Sequence, residues 1–268
     1  MKIASFNVNS INARLPRILD WFDKARPDVA VLQEIKCIDE KFPALEFEDR
    51  GYNVEVHGQK TYNGVALLSK YPVDDVMRGL PGDDEDDQSR YIEALVMPKD
   101  AAPVRVGGIY LPNGNPAPGP KYDYKIGWMK RLKTRAQALL LDEEAFVLAG
   151  DYNVIPQTED VHDPKAWEGD ALYRPETRAA FREILNLGLT DGLRQADPHG
   201  VRYTFWDYQR GAWEKDNGIR IDHLLLSPQA ADRFKTAGVD RTERSPSGGS
   251  AGSGVKPSDH VPVWVELI

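Results

Sequence analysis

The sequence predicts a mixed α/β fold in a single domain, on three observations. Eight short apolar runs recur along the chain, each with the length and β-branched content of a strand. Segments with apolar residues at helical spacing lie among them. No Pro- or Ser-rich linker divides the chain near its middle, so its 268 residues read as one unit, with strands buried beneath outer helices.

In order, the predicted strands are "KIASFNV" from Lys2, "DVAVLQE" from Asp28, "GVALLS" from Gly64 and "YIEALVM" from Tyr91. They continue with "VRVGGIYL" from Val104, "AFVLAGDYN" from Ala145, "RIDHLLLS" from Arg220 and "VPVWVEL" from Val261. A helix is predicted over 13–27, where Leu15, Ile18, Leu19 and Phe22 share a face and Pro27 marks the stop. A second covers 124–144, with Trp128, Leu132 and Leu139 on one side. A third covers 175–188 and closes at Gly188.

Composition excludes several classes. Hydrophobic residues make up 41% and charged residues 28%, as in ordinary globular proteins, and no apolar stretch approaches the roughly 20 residues of a membrane span. Met1 leads into a strand-like run without the long apolar core of a signal peptide, so the expected location is the cytoplasm. Cys37 is the only cysteine, which excludes an intrachain disulfide and a cysteine metal cage, and it reads as a small half-buried side chain. A formal net charge of −8 argues against nucleic acid coating the whole surface but leaves room for one basic face. "GDDEDD" (82–87) reads as a solvated acidic loop, lacking the spacing and closing glutamate of a calcium loop. "SPSGGSAGSG" (245–254) reads as a flexible segment, either a flap or a linker.

The informative pattern lies at the strand ends. Asn7 and Asn9 follow "IASF", Glu34 closes "VAVLQ", and Tyr110 and Asn113 follow "VRVGGI". Asp151 and Asn153 follow "FVLAG", Asp222 interrupts "IRIDHLLL", and Asp259 and His260 precede the last strand. Taken singly, each has an ordinary explanation as a turn former, a surface carboxylate or a core aromatic with a satisfied hydroxyl. Taken together, they predict one cleft, provided neighbouring strand ends meet on one edge. Glu34, Asp151, Asp222 and Asp259 are hard oxygen donors, a chemistry suited to Mg²⁺ or Mn²⁺ more than to structural zinc. His260 beside these carboxylates suits a ring held by one of them while its other nitrogen faces a phosphate.

"SFNVNSINAR", "PDVAVLQEIK", "YLPNGNP", "LAGDYNV", "YTFWDYQ", "NGIRIDHLLLS" and "KPSDHVPVW" occur in this order along nearly the whole chain. In them the chain resembles the exonuclease III family of abasic-site endonucleases, within the endonuclease/exonuclease/phosphatase superfamily. The resemblance implies a four-layered α/β sandwich, two packed mixed β-sheets flanked by helices, in one domain over 1–268. It implies Mg²⁺ as cofactor, with Mn²⁺ as a substitute, on the metal side of Asn7, Glu34 and Asp259. It further implies that Asp151 orients or deprotonates the attacking water, Asn153 positions Asp151 or the phosphate, and Tyr110 contacts the scissile phosphate. His260, held by Asp222, would donate to a phosphate oxygen.

By the same resemblance, Phe205, Trp206, Ile219 and Ile221 would form a small apolar pocket for an extrahelical abasic sugar. Asn113 and Asn115 would touch the DNA. Lys125, Lys130, Arg131, Lys133 and Arg135 offer either phosphate contacts or a solvated helix face. The expected partner is duplex DNA with abasic sites or 3′ ends, no membrane is involved, and the expected state is a monomer. Two rivals remain at this level: a phosphodiesterase of lipid or inositol head groups, and a damage-binding protein that does not cut.

Overall fold

The computed structural model describes residues 1–268, the side chain of Ala251 excepted. Its strands are β1 (Lys2–Asn7), β2 (Val29–Gln33), β3 (Asn53–His57), β4 (Val65–Ser69), β5 (Val73–Arg78) and β6 (Tyr91–Val96). They continue with β7 (Val104–Tyr110), β8 (Phe146–Asp151), β9 (Thr190–Asp191), β10 (Asp222–Leu226), β11 (Phe234–Val239) and β12 (Val263–Leu267). The helices are α1 (Ile11–Ala25), α2 (Ala44–Glu48), α3 (Pro120–Leu141), α4 (Pro175–Leu185), α5 (Gly192–Ala196) and α6 (Pro228–Ala231). All eight strands and all three helices expected from the sequence are present. β3, β5, β9 and β11 were not anticipated.

Two six-stranded sheets form, in the orders β11-β12-β1-β2-β4-β3 and β5-β6-β7-β8-β10-β9. Each is antiparallel except for one central parallel pair, β1 with β2 and β7 with β8. Those pairs are the two places where a long helix, α1 or α3, carries the chain over to a parallel neighbour.

Alternation of side chains explains the layers. In the first sheet Ile3, Val29, Val31, Val65 and Leu67 face the second sheet, and in the second Ile92, Ala94, Val106, Val147 and Ala149 face back, all fully buried. The intervening residues, Ala4, Phe6, Ala30, Leu32 and Leu68, pack outward beneath α1 with Trp21 and Phe22. On the other side Phe146, Leu148 and Leu225 pack beneath α3 and α4 with Trp128, Leu132 and Phe181. The result is helix, sheet, sheet, helix. Gly108 lets the sheets approach, because a Cβ there would lie 3.1 Å from the Val31 side chain.

The sheets pack so that β1 contacts β8 and β2 contacts β7. Both parallel pairs therefore deliver their C-terminal ends to one end of the sandwich. β10 runs antiparallel to β8, with Asp222 opposite Asp151, so its first residue lies at that end too. β12 runs antiparallel to β1 and brings the loop before it, with Asp259 and His260, to the same place. No helix among the described residues is long and apolar enough to cross a membrane.

Two loop expectations meet specific contacts. Asp83, Asp84, Glu85 and Asp87 are exposed, as a solvated loop requires, but Asp86 is not free: it accepts from Tyr124 Oη (2.8 Å) and pairs with Arg131 (2.7 Å). The Gly/Ser segment lies along α1, where Arg17 Nη2 donates to the carbonyls of Glu243, Ser245 and Gly248.

Behind β10 lies a buried charge network. Arg220 donates to both carboxylate oxygens of Asp160 (2.7 and 3.0 Å) and to Asp191 Oδ2 (2.6 Å). His223 sits between Arg220 Nη1, 3.1 Å from its Nδ1, and the Val154 carbonyl, 2.9 Å from its Nε2. A guanidinium only donates and a carbonyl only accepts, so the ring is neutral with its proton on Nε2. Burial and the adjacent Arg220 pull its pKa down to about 4, Asp191 notwithstanding. The sign follows from linkage: a depressed histidine contributes stability that is complete above the unfolded imidazole value and is lost as pH falls through about 4. Denaturant unfolding should therefore show a loss of about 2 kcal/mol from this group between pH 8 and pH 5. Replacing His223 with Gln should flatten that slope, and equal slopes in both proteins would rule the buried neutral ring out as its source.

Candidate active site

The strand ends meet in a recess of about 260 Å³ lined by Glu34, Tyr110, Asn113, Asn115, Asp151, Asn153, Phe205, Ile219, Ile221, Asp259 and His260, among others. Asn7 lies beneath it. Its Nδ2 donates to Glu34 Oε1 (2.9 Å) and to Asp151 Oδ2 (3.0 Å), while its Oδ1 accepts from the Asn9 main chain. Asn7 thus serves the two carboxylates through its nitrogen, and its oxygen is already engaged.

Each carboxylate has its own support. Glu34 accepts from Tyr110 Oη (2.9 Å) and pairs with Lys36 (2.8 Å), whose Nζ also donates to Asn9 Oδ1. Burial would raise Glu34, but Lys36 and Asn7 outweigh it and hold the carboxyl below its usual range. Tyr110 is driven well above the usual phenol range by burial and by Glu34, so its hydroxyl stays a neutral donor. Asp151 accepts the Asn153 main-chain N–H at 2.9 Å, yet burial and the nearby Asp222 push it up to about 7 even with His260 beside it.

His260 completes the group. Its Nδ1–H donates to Asp222 Oδ2 at 2.9 Å, as the sequence led one to expect, and its Nε2 faces Asp151 Oδ2 at 3.7 Å. Burial alone would depress this ring; Asp222 and Asp151 override it and raise it to about 10, so it is a cation at neutral pH. Asp259 lines the same recess and accepts from Asn9 Nδ2 at 3.1 Å.

The metal question turns on the donor set. Glu34, Asp151 and His260 each offer a ligand atom within 4.8 Å of the others, and Asp259 is not part of this trio. Two of the three are hard oxygen donors, and the raised Asp151 carboxyl is the response of an acid crowded by burial and like charge, which a cation relieves. The residues present therefore fit a divalent cation of the oxygen-preferring kind.

The apolar wall is partly as expected. Phe205 bridges to both Ile219 and His260, its ring set edge-on to the imidazole with the ring centres 5.0 Å apart, and Ile221 lines the recess with it. Trp206 is a correction. It is fully buried, donates to Asp216 Oδ1 at 3.0 Å and packs on Trp213, away from the recess. Neighbouring residues of an extended segment point to opposite faces, so Phe205 and Trp206 cannot both line the wall. Trp167, Asp170 and Leu172 line the recess from a segment with no regular pattern, and sequence reasoning missed them. Lys36 was also missed, although it stands two residues after Glu34.

Asn113 and Asn115 are at the rim. Asn113 Nδ2 donates to Asn153 Oδ1 (3.3 Å), and Asn115 Nδ2 to the Asp170 carboxylate (3.2 Å). Of the basic residues on α3, Lys125 is fully buried, and Arg131 and Arg135 are engaged with Asp86 and Glu93. They do not form a free phosphate-facing stripe.

A model of the Endonuclease/Exonuclease/phosphatase family matches residues 4–260. The chain belongs to that family. It is 33% identical to exodeoxyribonuclease III of Haemophilus influenzae, with 100% of each chain covered. It is 32% identical to the DNA repair nuclease APEX1 of Danio rerio, over 85% of this chain and 73% of that one. Among solved structures, the 3′ phosphatase NExo from Neisseria bound to product DNA hairpin superposes with a TM-score of 0.92 at 38% identity, covering 100% of this chain and 99% of that one. An AP endonuclease from Archaeoglobus fulgidus superposes with a TM-score of 0.90 at 35% identity, over the same shares. The four-layered sandwich is the fold of this family.

Replacing Asp222 with Asn removes the anion that holds the His260 ring charged. The His260 titration followed by NMR should move down toward ordinary imidazole values while the fold persists. An unmoved titration would show that Asp222 does not set the charge of the ring.

Proposed function

We propose that the chain is a Mg²⁺-dependent DNA-repair nuclease that hydrolyses the phosphodiester 5′ of abasic sites in duplex DNA, with 3′-to-5′ exonuclease and 3′-end-cleaning activity. It is a hydrolase of the exodeoxyribonuclease III type, acting as a single domain and a monomer in the cytoplasm, with Mn²⁺ as a substitute ion. The observation that carries this reading is the meeting of Glu34, Asp151 and an Asp222-held His260 beside a small apolar wall. The wall of Phe205, Ile219 and Ile221 suits a sugar without a base, turned out of the helix. A head-group phosphodiesterase has no evident use for it, and a protein that only binds damage has no need of the charged trio.

Asp151, near 7 and fixed by the Asn153 N–H, is the group suited to take the proton of the attacking water. Tyr110 is a poorer base, since its hydroxyl already donates to Glu34 and its pKa lies well above the usual range. It serves instead as a neutral donor beside the phosphate. The charged His260 directs Nε2–H into the cleft, where it stabilises negative charge growing on a phosphoryl oxygen. Asn113 and Asn153 line the same recess, and Asn113 Nδ2, which donates to Asn153 Oδ1, has a second hydrogen to offer the phosphate. Glu34, which stays an anion, would hold a divalent cation beside this group of residues, and the ion would supply Lewis-acid stabilisation of the phosphoryl group and of the departing 3′ oxygen.

The test uses a duplex bearing one tetrahydrofuran abasic analogue, with Mg²⁺ or EDTA. The reading predicts metal-dependent incision immediately 5′ to the lesion. Asp151→Asn and His260→Ala should each slow it by roughly 10²- to 10⁴-fold with the fold intact. Incision that is unaffected by EDTA, or none at all with the unmodified chain, would refute the assignment.

A further inference from the structure

Lys125 lies in the second turn of α3 and is fully buried, with no acid at hydrogen-bonding distance. Its Nζ donates instead to two main-chain carbonyls, those of Asn113 (3.0 Å) and Asn153 (2.5 Å). Asp151 and Asp170 attract it only at longer range, and burial pulls its pKa down to about 7. A buried ammonium is costly, and a methionine of similar length would fill the space without that cost but would leave both carbonyls unpaired. The amine is there for those two carbonyls, not to fill space.

The backbone around it is shaped to meet it. Gly114 has φ +90°, and a Cβ there would stand 2.6 Å from Lys125 Cδ. Asn153 adopts φ 48°, a left-handed conformation uncommon outside glycine, which turns its carbonyl to Nζ. The same Asn153 offers its N–H to Asp151 Oδ1 at 2.9 Å and its Nδ2 to the Leu111 carbonyl at 2.9 Å. Asn113 Nδ2 reaches Asn153 Oδ1. One cation therefore ties together the two loops that follow β7 and β8.

We propose that Lys125 is a positioning residue for the hydrolysis: by clamping the Asn113 and Asn153 main chains, it holds the Asp151 carboxylate and the two asparagine side chains against the scissile phosphate. The proposal rests on the function given above. It departs from the reading of this lysine as a phosphate contact, since an enclosed ammonium spent on two carbonyls is not offered to solvent.

Kinetics of abasic-duplex incision at several salt concentrations separate the roles. Lys125→Met should lower kcat by about 10²-fold, the cost of a displacement on the order of 1 Å in a reacting group. KM and its salt dependence should stay unchanged, and the fall in kcat should persist at temperatures where the variant is fully folded. Lys125→Gln, which keeps a neutral donor able to reach one carbonyl, should lie between Met and the unmodified chain. A raised KM with a shallower salt dependence would make Lys125 a phosphate contact and overturn the proposal. So would an unchanged kcat, a fall in kcat that only tracks the unfolded fraction, or a failure of both variants to fold. If the unmodified chain leaves the duplex uncut, the function itself fails and the positioning role goes with it.

Discussion

The Asn7 side-chain amide reaches two carboxylates at once, Glu34 from its own sheet and Asp151 from the facing one, at 2.9 and 3.0 Å. Two buried anions held this close repel each other, and burial deprives both of water. The chain supplies a cation to each: Lys36 pairs with Glu34, and the charged His260 lies 3.7 Å from Asp151. Even so, Asp151 rises to about 7. This residual imbalance makes the cleft a place for a divalent ion and gives it an acid–base group tuned near neutrality.

The architecture exists around that meeting. The pairing sequence is the same in both sheets: an edge strand, an antiparallel strand, the parallel pair and two further antiparallel strands. β1 and β7 take the third place and β2 and β8 the fourth, and β1 and β8 are the strands that end in Asn7 and Asp151. Because β1 packs on β8 and β2 on β7, the four strand ends carrying Asn7, Glu34, Tyr110 and Asp151 arrive together without a long loop to place them. Elements of regular structure hold such groups more accurately than loops do.

How much of this was legible follows from the same physics. β1, β2, β4, β7, β8 and β10 are buried on both faces or nearly so, and their continuous apolar runs were plain in the sequence. β3, β5 and β11 lie at or near sheet edges and carry polar residues, as in "VDDVMR" and "FKTAGV", so no apolar run announces them. Glu34, Asp151, Asp222 and His260 could be singled out because polar groups ending apolar strands are conspicuous. Trp206 misled because composition does not say which face of an extended segment a residue takes. Lys125 was hidden for the opposite reason: a lysine among lysines and arginines on a helix reads as solvated, and only the packing of Gly114 and Asn153 against it shows that it is not. Lys36 comes from a loop and Trp167 from a single 3₁₀ turn, Pro164–Trp167, both too short for periodicity to direct a side chain.

The most direct test of the central claim is anomalous diffraction from crystals equilibrated with Mn²⁺. The account predicts a peak in the cleft, within bonding distance of a Glu34 carboxylate oxygen. A peak found only elsewhere, for example on the acidic loop at residues 82–87, or none in the cleft at saturating Mn²⁺, would contradict it.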